Sequence, residues 1–265
     1  MNRFFALVLL LASPFAQAEV EEVLIQVTPG LALHGDYLAA EDSTRGVIFL
    51  HMVGRSAADW RYLSNKVNRS GFHTLALDLR GHGRNVPEGQ ETSDLNHAEY
   101  GAMVNDVAVA VAWFRARGVE QVSFVGASVG ANLALTVAAD DAAIHNLVLL
   151  SPGLDFKGID LTGKTSDYGE RPLLLAVSSE DAYSARTCLL LDSEAMGHHH
   201  LAIYESVGHG SRMLTRAPAL EPLVLSWLLE TFGVSSGTLR RSEQIQTGDT
   251  TDYESTGTRM EFPSE

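Results

Sequence analysis

A serine lies between two glycines where a predicted strand changes into a predicted helix. The apolar run 121–126 is typical of a buried strand, and the run 130–140 is typical of a helix. Between them the stretch 126–130 reads G-A-S-V-G, a pattern that favours a tight turn with Ser128 in a strained backbone conformation. Small residues on both sides let the flanking backbones approach closely. Ser128 is therefore a candidate nucleophile, and the alternative is that it is only a turn residue.

A serine hydroxyl is a poor nucleophile without a base, so an acid and a base are required elsewhere. Asp181 ends the predicted strand 171–181, and His209 follows the predicted strand 199–206 in a Gly-His-Gly sequence. Ser128, Asp181 and His209 occur in this order, each at or just past the end of a predicted strand, so all three would lie at the carboxyl edge of a parallel sheet. In this arrangement His209 takes the serine proton and Asp181 orients the imidazole.

Alternating strand and helix patterns predict the elements that position these residues. They imply an α/β protein with a mostly parallel twisted sheet of about eight strands and helices on both faces. The first two strands are expected to form an antiparallel pair. The predicted strands are 21–27, 34–40, 46–51, 73–79, 121–126, 146–152, 171–181 and 199–206, and the predicted helices are 57–71, 97–118, 130–140, 183–195 and 217–233.

Four motifs together resemble those of α/β-hydrolases of the serine esterase and lipase type, over roughly residues 20–233. They are FLHMVGRSAADW, LDLRGHGRN, GASVG and the pair SSED and GHG. The resemblance implies acyl transfer to water through Ser128, Asp181 and His209, with no metal or organic cofactor. It also implies an oxyanion hole formed by the N–H groups of Val53 and Val129. The sequence has Met52 where this family usually has glycine.

Other residues near the same sheet edge remain alternatives for the acid and the base. Asp155 follows the predicted strand 146–152, and Glu180 precedes Asp181, so either carboxylate is a second candidate for the acid. His51 and His82 are alternative bases, although the resemblance gives His51 a role in shaping its loop and His82 a role in a turn. The run His198–His200 suggests a metal, but consecutive strand residues point to opposite faces, which favours a solvated loop.

The segment between Ser151 and Leu173 bears on the substrate. Many relatives carry a helical cap domain here, but only about twenty residues separate these two predicted strands, too few for several helices. We therefore expect an open, capless site for a small ester. The residues leave peptidase, thioesterase and acyltransferase activity open on the same triad, as well as a catalytically silent binding module.

The two ends of the chain differ from its centre. Residues 1–18 have a basic start, an apolar stretch and the small residues Ala16–Ala18, which predicts a signal peptide and export; the alternative is a membrane anchor. The apolar stretch is shorter than the roughly 20 residues that span a bilayer. Residues 19–233 form the predicted hydrolase domain, and residues 234–265 are expected to be a disordered acidic tail or a sorting segment.

Composition limits the partners. The chain has 265 residues and a formal net charge of −14, which argues against nucleic acid as a partner. Cys188 is the only cysteine, so an internal disulfide is excluded, and its apolar helical surroundings predict a core position. The expected partner is a small-molecule ester, with no stable membrane anchor, and the oligomeric state is left open.

Overall fold

A twisted sheet of eight strands organises residues 19–92 and 95–234, which are those that the computed structural model describes. The predicted signal peptide and, apart from Val234, the predicted tail lie outside these residues. The sheet strands are β1 (Glu21–Thr28), β2 (Leu31–Leu38), β3 (Arg45–Leu50), β4 (His73–Leu77), β5 (Gln121–Ala127), β6 (Ile144–Leu150), β9 (Leu173–Ser178) and β10 (His199–Tyr204). A two-stranded hairpin, β7 (Asp155–Phe156) and β8 (Ile159–Asp160), lies between β6 and β9.

The helices cover both faces of this sheet. They are α1 (Arg61–Arg69), α2 (His97–Arg115), α3 (Val129–Asp140), α4 (Lys164–Tyr168), α5 (Ala182–Glu194), α6 (Met213–Arg216) and α7 (Leu220–Thr231). Strand side chains alternate between two apolar clusters: Ile48 and Leu50 face the side of α2, α3 and α5, whereas Val47 and Phe49 face the side of α1 and α7. No helix in the described residues is long and apolar enough to cross a bilayer.

The strand order places a change of direction at the centre of the sheet. The order is β1-β2-β4-β3-β5-β6-β9-β10, in which β1 and β2 pair antiparallel, β2 and β4 pair antiparallel, and the other neighbours are parallel. From β3 the chain first moves outward to β4 and then crosses back to β5. The carboxyl ends of β3 and β5 therefore lie at the topological switch point, where open α/β sheets place their sites.

The predicted fold class and the antiparallel opening pair are confirmed, and the differences are local. The predicted helix 57–71 divides into a single 3-10 turn, Ala57–Trp60, followed by α1. The β7–β8 hairpin and the short helices α4 and α6 were not predicted, because elements of two to five residues carry too little periodicity. Cys188 is fully buried in the core, as predicted.

Two glycines allow α3 to begin very close to the sheet. A Cβ atom on Gly130 would lie 2.2 Å from the carbonyl oxygen of Leu50, and one on Gly126 would lie 2.4 Å from the carbonyl oxygen of Gly130. Both neighbouring atoms belong to the backbone and cannot rotate away. The sequence G-x-S-x-G is therefore required by packing as well as by the turn.

We expect Gly130→Ala to lower the free energy of unfolding by about 3 kcal/mol, because the added methyl group overpacks against the backbone of β3. Gly101→Ala is the matched control. Gly101 lies in the interior of α2, and its Cβ would have nothing within 4 Å. This control should gain about 0.5–1 kcal/mol through helix propensity. Urea unfolding of the two variants checks the prediction, and equal stabilities would contradict it.

Candidate active site

Ser128 occupies a single-residue reversal between β5 and α3. Its backbone has φ 52° and ψ −120°, a left-handed conformation that costs a non-glycine residue on the order of 1–3 kcal/mol. The Ser128 N–H donates to the carbonyl oxygen of Leu150 at 2.8 Å, and its own carbonyl accepts the N–H groups of Ala131 and Asn132. The turn is thus fixed by the neighbouring strand on one side and by the first turn of α3 on the other.

His209 and Asp181 are brought together from the ends of β10 and β9. Nδ1 of His209 lies 2.5 Å from Oδ2 of Asp181. A carboxylate only accepts hydrogen bonds, so Nδ1 carries the proton and Nε2 of the neutral ring is free to act as a base. The side chains are 38% and 18% exposed, respectively, so the ring reaches solvent while the carboxylate is largely covered.

The loop that carries His209 packs against the serine turn. A Cβ atom on Gly210 would lie 3.6 Å from Cβ of Ala127, the residue before Ser128. Among the described residues, no hydrogen bond joins Oγ of Ser128 to Nε2 of His209. Such bonds are often long in a free enzyme and shorten only in the complex with substrate.

The loop after β3 presents a free backbone donor. The carbonyl oxygen of Met52 accepts Nδ1–H of His51 at 2.8 Å and the N–H of Arg55 at 3.2 Å. The peptide bond to Val53 is trans, so the Val53 N–H points away from the side on which that carbonyl is held. Within the described residues this N–H has no partner. The N–H of Val129, the first residue of α3, likewise has no acceptor inside the helix.

The Met52 side chain occupies the space beside the His209 loop. A Cβ atom on Gly210 would lie 2.9 Å from Sδ of Met52. Met52 is buried and packs in the apolar cluster that includes Ala127. The departure from the glycine usual in the family therefore fills a gap between the two loops.

His51 and His82 are placed in structural roles. His51 is fully buried, and its Nε2 accepts the N–H of Leu79 at 2.9 Å, so both ring nitrogens are engaged. Burial lowers its pKa to about 4. His82 is also fully buried, donates from Nδ1 to the carbonyl oxygen of Arg80, and has its pKa lowered by burial. Neither ring is available to solvent as a base.

Glu180 and Asp155 do not contact His209. The Glu180 carboxylate accepts the N–H groups of Ser206 and Gly208, each at 2.8 Å. Asp155 is exposed at the start of the β7–β8 hairpin, where its Oδ1 accepts the N–H of Gly158 at 3.2 Å. Of the three carboxylates considered for the acid, only Asp181 is bonded to the imidazole.

The segment 78–84 is held by two ion pairs whose carboxylates are buried. The carboxylate of Asp78 accepts the N–H of Ala57 at 2.6 Å and Nε of Arg84 at 2.7 Å. Burial alone would raise the pKa of Asp78, but these two donors outweigh it and lower the pKa. Arg80 pairs with Asp106 of α2 at 2.6 Å. Through Asp78, the segment 78–84 thus supports the 3-10 turn Ala57–Trp60, which follows the Val53 loop.

No cluster of metal-ligating side chains occurs in the part of the chain that the structure describes. His198 stacks on Trp227 with ring centroids 4.7 Å apart, and the next two histidines are exposed. The predicted solvent exposure of these histidines is confirmed, but the predicted loop is wrong, and the predicted strand 199–206 is the interpretation that holds. His199 and His200 begin strand β10, whose edge position leaves them in solvent.

Comparisons with known proteins agree with this fold. A family model described as serine aminopeptidase, S33, matches residues 41–167. A dienelactone hydrolase from Anabaena variabilis has a similar structure, with a TM-score of 0.67 and 21% identity over 81% of this chain and 98% of that one. The chain has the α/β-hydrolase fold.

Two esterase structures have a similar fold. An esterase from Pyrococcus furiosus has a TM-score of 0.65 and 17% identity over 80% of this chain and 91% of that one. Acetyl xylan esterase 1 from Thermoanaerobacterium has a TM-score of 0.66 and 15% identity over 83% of this chain and 86% of that one. The comparison with curated proteins found no match. Together the family model and the neighbouring structures support a hydrolase.

Sequence reasoning did not find three residues that hold the His209 loop. Oγ of Ser151 accepts the N–H of Gly210 at 3.0 Å, and Oγ of Ser178 accepts the N–H of Val207 at 3.0 Å. Glu180 was considered only as an acid, whereas its carboxylate binds the backbone of the loop. One sequence feature could have indicated such a support: Ser178 is a polar residue at the last position of an otherwise apolar strand.

We expect the acid sensitivity of folding to depend on His51. Its pKa is about 4 when folded against 6.5 when unfolded, so the unfolded state binds more protons between these pH values. Stability therefore rises with pH across this window and is lost as pH falls from about 6.5 to 4, by up to about 3 kcal/mol for this group. Urea unfolding of the wild type and of His51→Gln at pH 7 and pH 4 measures this.

The His51→Gln variant should lose less stability between the two pH values than the wild type loses. His200→Gln is the control, because His200 is exposed at the edge strand. This control should keep the wild-type loss. If the wild type and His51→Gln lost the same free energy of unfolding between pH 7 and pH 4, His51 would not be the cause of the loss of stability in acid.

Proposed function

We propose that this protein is an exported serine hydrolase that cleaves small carboxylic esters through Ser128, His209 and Asp181. The observation that carries the proposal is the 2.5 Å hydrogen bond from His209 to Asp181, held beside the strained turn of Ser128 at the switch point of the sheet. A nucleophile, a base and a group that orients the base are the three parts of such a site.

In the proposed mechanism, Oγ of Ser128 attacks the ester carbonyl while Nε2 of His209 removes the hydroxyl proton. Asp181 stabilises the imidazolium that forms. His209 then returns the proton to the leaving alcohol, which leaves an acyl group on Ser128. The same imidazole then deprotonates a water molecule, which attacks the acyl-enzyme. The carboxylic acid is released as His209 returns the proton to Oγ of Ser128.

The proposed oxyanion hole consists of the N–H groups of Val53 and Val129. Support for Val129 comes from its place as the first residue of α3, where the helix dipole also favours negative charge. Support for Val53 comes from the fixed carbonyl of Met52, which turns the next N–H in one direction. Donors of this kind are each worth roughly 3 kcal/mol in the transition state.

The proposed substrate is a small ester, because the segment between β6 and β9 contains only the β7–β8 hairpin and the five-residue helix α4. Tyr183 braces this hairpin: its hydroxyl accepts the N–H of Asp155 at 2.9 Å and lies 3.0 Å from the carbonyl oxygen of the same residue. Beside the Val53 loop, an open cleft of about 360 Å³ is lined by Gly54, Arg55, Ser56, Ala58, Asp59, Gly83 and Thr92. An open site shields a long acyl chain poorly.

Export is proposed from the sequence of residues 1–18 alone, with cleavage near Ala18. The second candidate function is peptide hydrolysis, which the description of the matching family model favours. The same triad and oxyanion hole serve amide bonds, so the residues of the site do not separate the two. The third possibility, a catalytically silent binding module, is tested by the labelling experiment described next.

We expect a fluorophosphonate probe to label the purified mature protein at Ser128, and mass spectrometry of the peptides locates the adduct. Ser128→Ala should not be labelled. An activated serine reacts because the base removes its proton, whereas an ordinary surface serine does not. A folded wild-type protein that stays unlabelled would refute the hydrolase mechanism and leave the binding module.

The same assay distinguishes the acids. Asp181→Asn should lower the labelling rate by about 10³–10⁴-fold, because the amide favours the wrong imidazole tautomer. Asp155→Asn is the matched control, since its amide oxygen can still accept the N–H of Gly158. This control should label at the wild-type rate, and the reverse pattern would assign the acid to Asp155.

We expect acetyl and butyryl esters of p-nitrophenol to be cleaved with kcat/KM at least about 10-fold above that of palmitoyl esters, because the short segment between β6 and β9 does not enclose a long chain. Aminoacyl p-nitroanilides test the second candidate in parallel. Faster cleavage of the anilides than of the short esters would favour the peptidase. A preference for palmitoyl esters would contradict the open site.

A further inference from the structure

We propose that Glu180 is a positioning residue for His209, and that its carboxylate does this by filling an anion-binding nest in the backbone of residues 206–208. The inference rests on the proposed function, since a positioned base matters only if His209 acts as one. It gives Glu180 a role different from that of Asp181, although the two carboxylates are adjacent in the chain.

The backbone of this loop has the geometry of a nest. Ser206 and Gly208 have positive φ, at 52° and 87°, and Val207 between them does not. Alternating conformations of this kind turn successive N–H groups toward one concave side, where they bind an anion. Here Oε2 of Glu180 accepts the N–H of Ser206 and Oε1 accepts the N–H of Gly208, each at 2.8 Å.

Ser178 joins the carboxylate to the N–H that lies between these two. Its hydroxyl donates to Oε2 of Glu180 and accepts the N–H of Val207 at 3.0 Å. The N–H groups of three consecutive residues therefore all end on one small cluster at the carboxyl end of β9. On the far side of His209, Ser151 holds the N–H of Gly210.

The charge of Glu180 is maintained at neutral pH. Hydrogen bonds from Ser178 and Gly208 lower its pKa to about 2. The carboxylate is exposed, so its place in the nest is open to ions from solvent. It makes no contact with the imidazole, which is bonded to Asp181. Its effect on chemistry therefore passes through the backbone on either side of His209.

Loss of this carboxylate leaves the N–H groups of Ser206 and Gly208 without their present acceptors and removes what holds Ser206 in a left-handed conformation. The loop then samples other conformations, and the imidazole is misaligned for part of the time. A misplacement of about 1 Å in a reacting group can cost about 100-fold in rate. Glu180 has no part in the proposed contacts with the substrate, so we expect the loss to fall on kcat rather than KM.

The test compares Glu180→Ala with Glu205→Ala in the full mature protein. Glu205 is exposed, lies one residue before the nest, and its replacement removes the same charge and the same atoms. We expect Glu180→Ala to react with the fluorophosphonate about 10–100-fold more slowly than the wild type, with kcat for a short ester reduced in parallel and KM unchanged. Glu205→Ala should match the wild type in each respect.

Recovery of the labelling rate by added acetate distinguishes the proposed role of the carboxylate from a general loss of structure. The atoms removed from Glu180 by alanine correspond to acetate, so added sodium acetate should refill the nest and restore the labelling rate at least several-fold. Sodium chloride at equal ionic strength should restore less. Acetate should not affect the wild type, nor Glu180→Gln, whose amide still occupies the nest and which should label at an intermediate rate.

The outcomes separate this inference from the proposed function. An unlabelled wild type refutes the function itself. A labelled wild type together with a Glu180→Ala variant as fast as Glu205→Ala overturns the positioning role. A slow Glu180→Ala variant that acetate does not restore overturns the nest. Should Glu180→Ala fail to fold, as circular dichroism would show, a Glu180→Gln variant with the wild-type rate overturns the proposal, and an intermediate rate supports it.

Discussion

The close contact between the start of α3 and the backbone of β3 constrains the rest of the site. A Cβ atom on Gly130 would lie 2.2 Å from the carbonyl oxygen of Leu50, so the helix begins nearer to the sheet than any side chain permits. The chain must therefore reverse within one residue, and Ser128 adopts φ 52° to do so. The same approach brings the Val129 N–H and the Val53 loop to one edge, because that loop directly follows β3.

The strain at Ser128 is one of three similar cases around the site. Ser151 and Ser206 also have φ close to 50°, and they lie at or just beyond the ends of β6 and β10. Each has its N–H fixed: Ser128 to Leu150, Ser151 to Ala176 of β9, and Ser206 to Glu180. Strained conformations persist where their surroundings over-determine them. The register of parallel strands thus sets the positions of the turns, and the turns set the positions of the side chains.

The elements that could be predicted from the sequence are those with a regular spacing of apolar residues. Continuous apolar runs and helical spacing predicted the fold class and the elements that carry Ser128, Asp181 and His209. An element that buries one or two faces needs apolar residues at regular positions along its whole length, and this pattern is visible in the sequence. The hairpin at Asp155–Asp160 and the supports at Ser151 and Ser178 depend instead on single contacts between distant segments. Such contacts leave no period, so only the folded chain shows which hydroxyl meets which N–H.

Environment, more than residue type, divides the roles at this edge. His51 and His209 both follow parallel strands, yet His51 is fully buried with both ring nitrogens engaged, while His209 is 38% exposed with Nε2 free. The adjacent carboxylates divide in the same way. Asp181 meets an imidazole, and Glu180 meets backbone N–H groups. One side chain can stabilise a charge that appears and disappears during a reaction. The other balances partial charges that are permanent, and so holds its loop at every stage of a turnover.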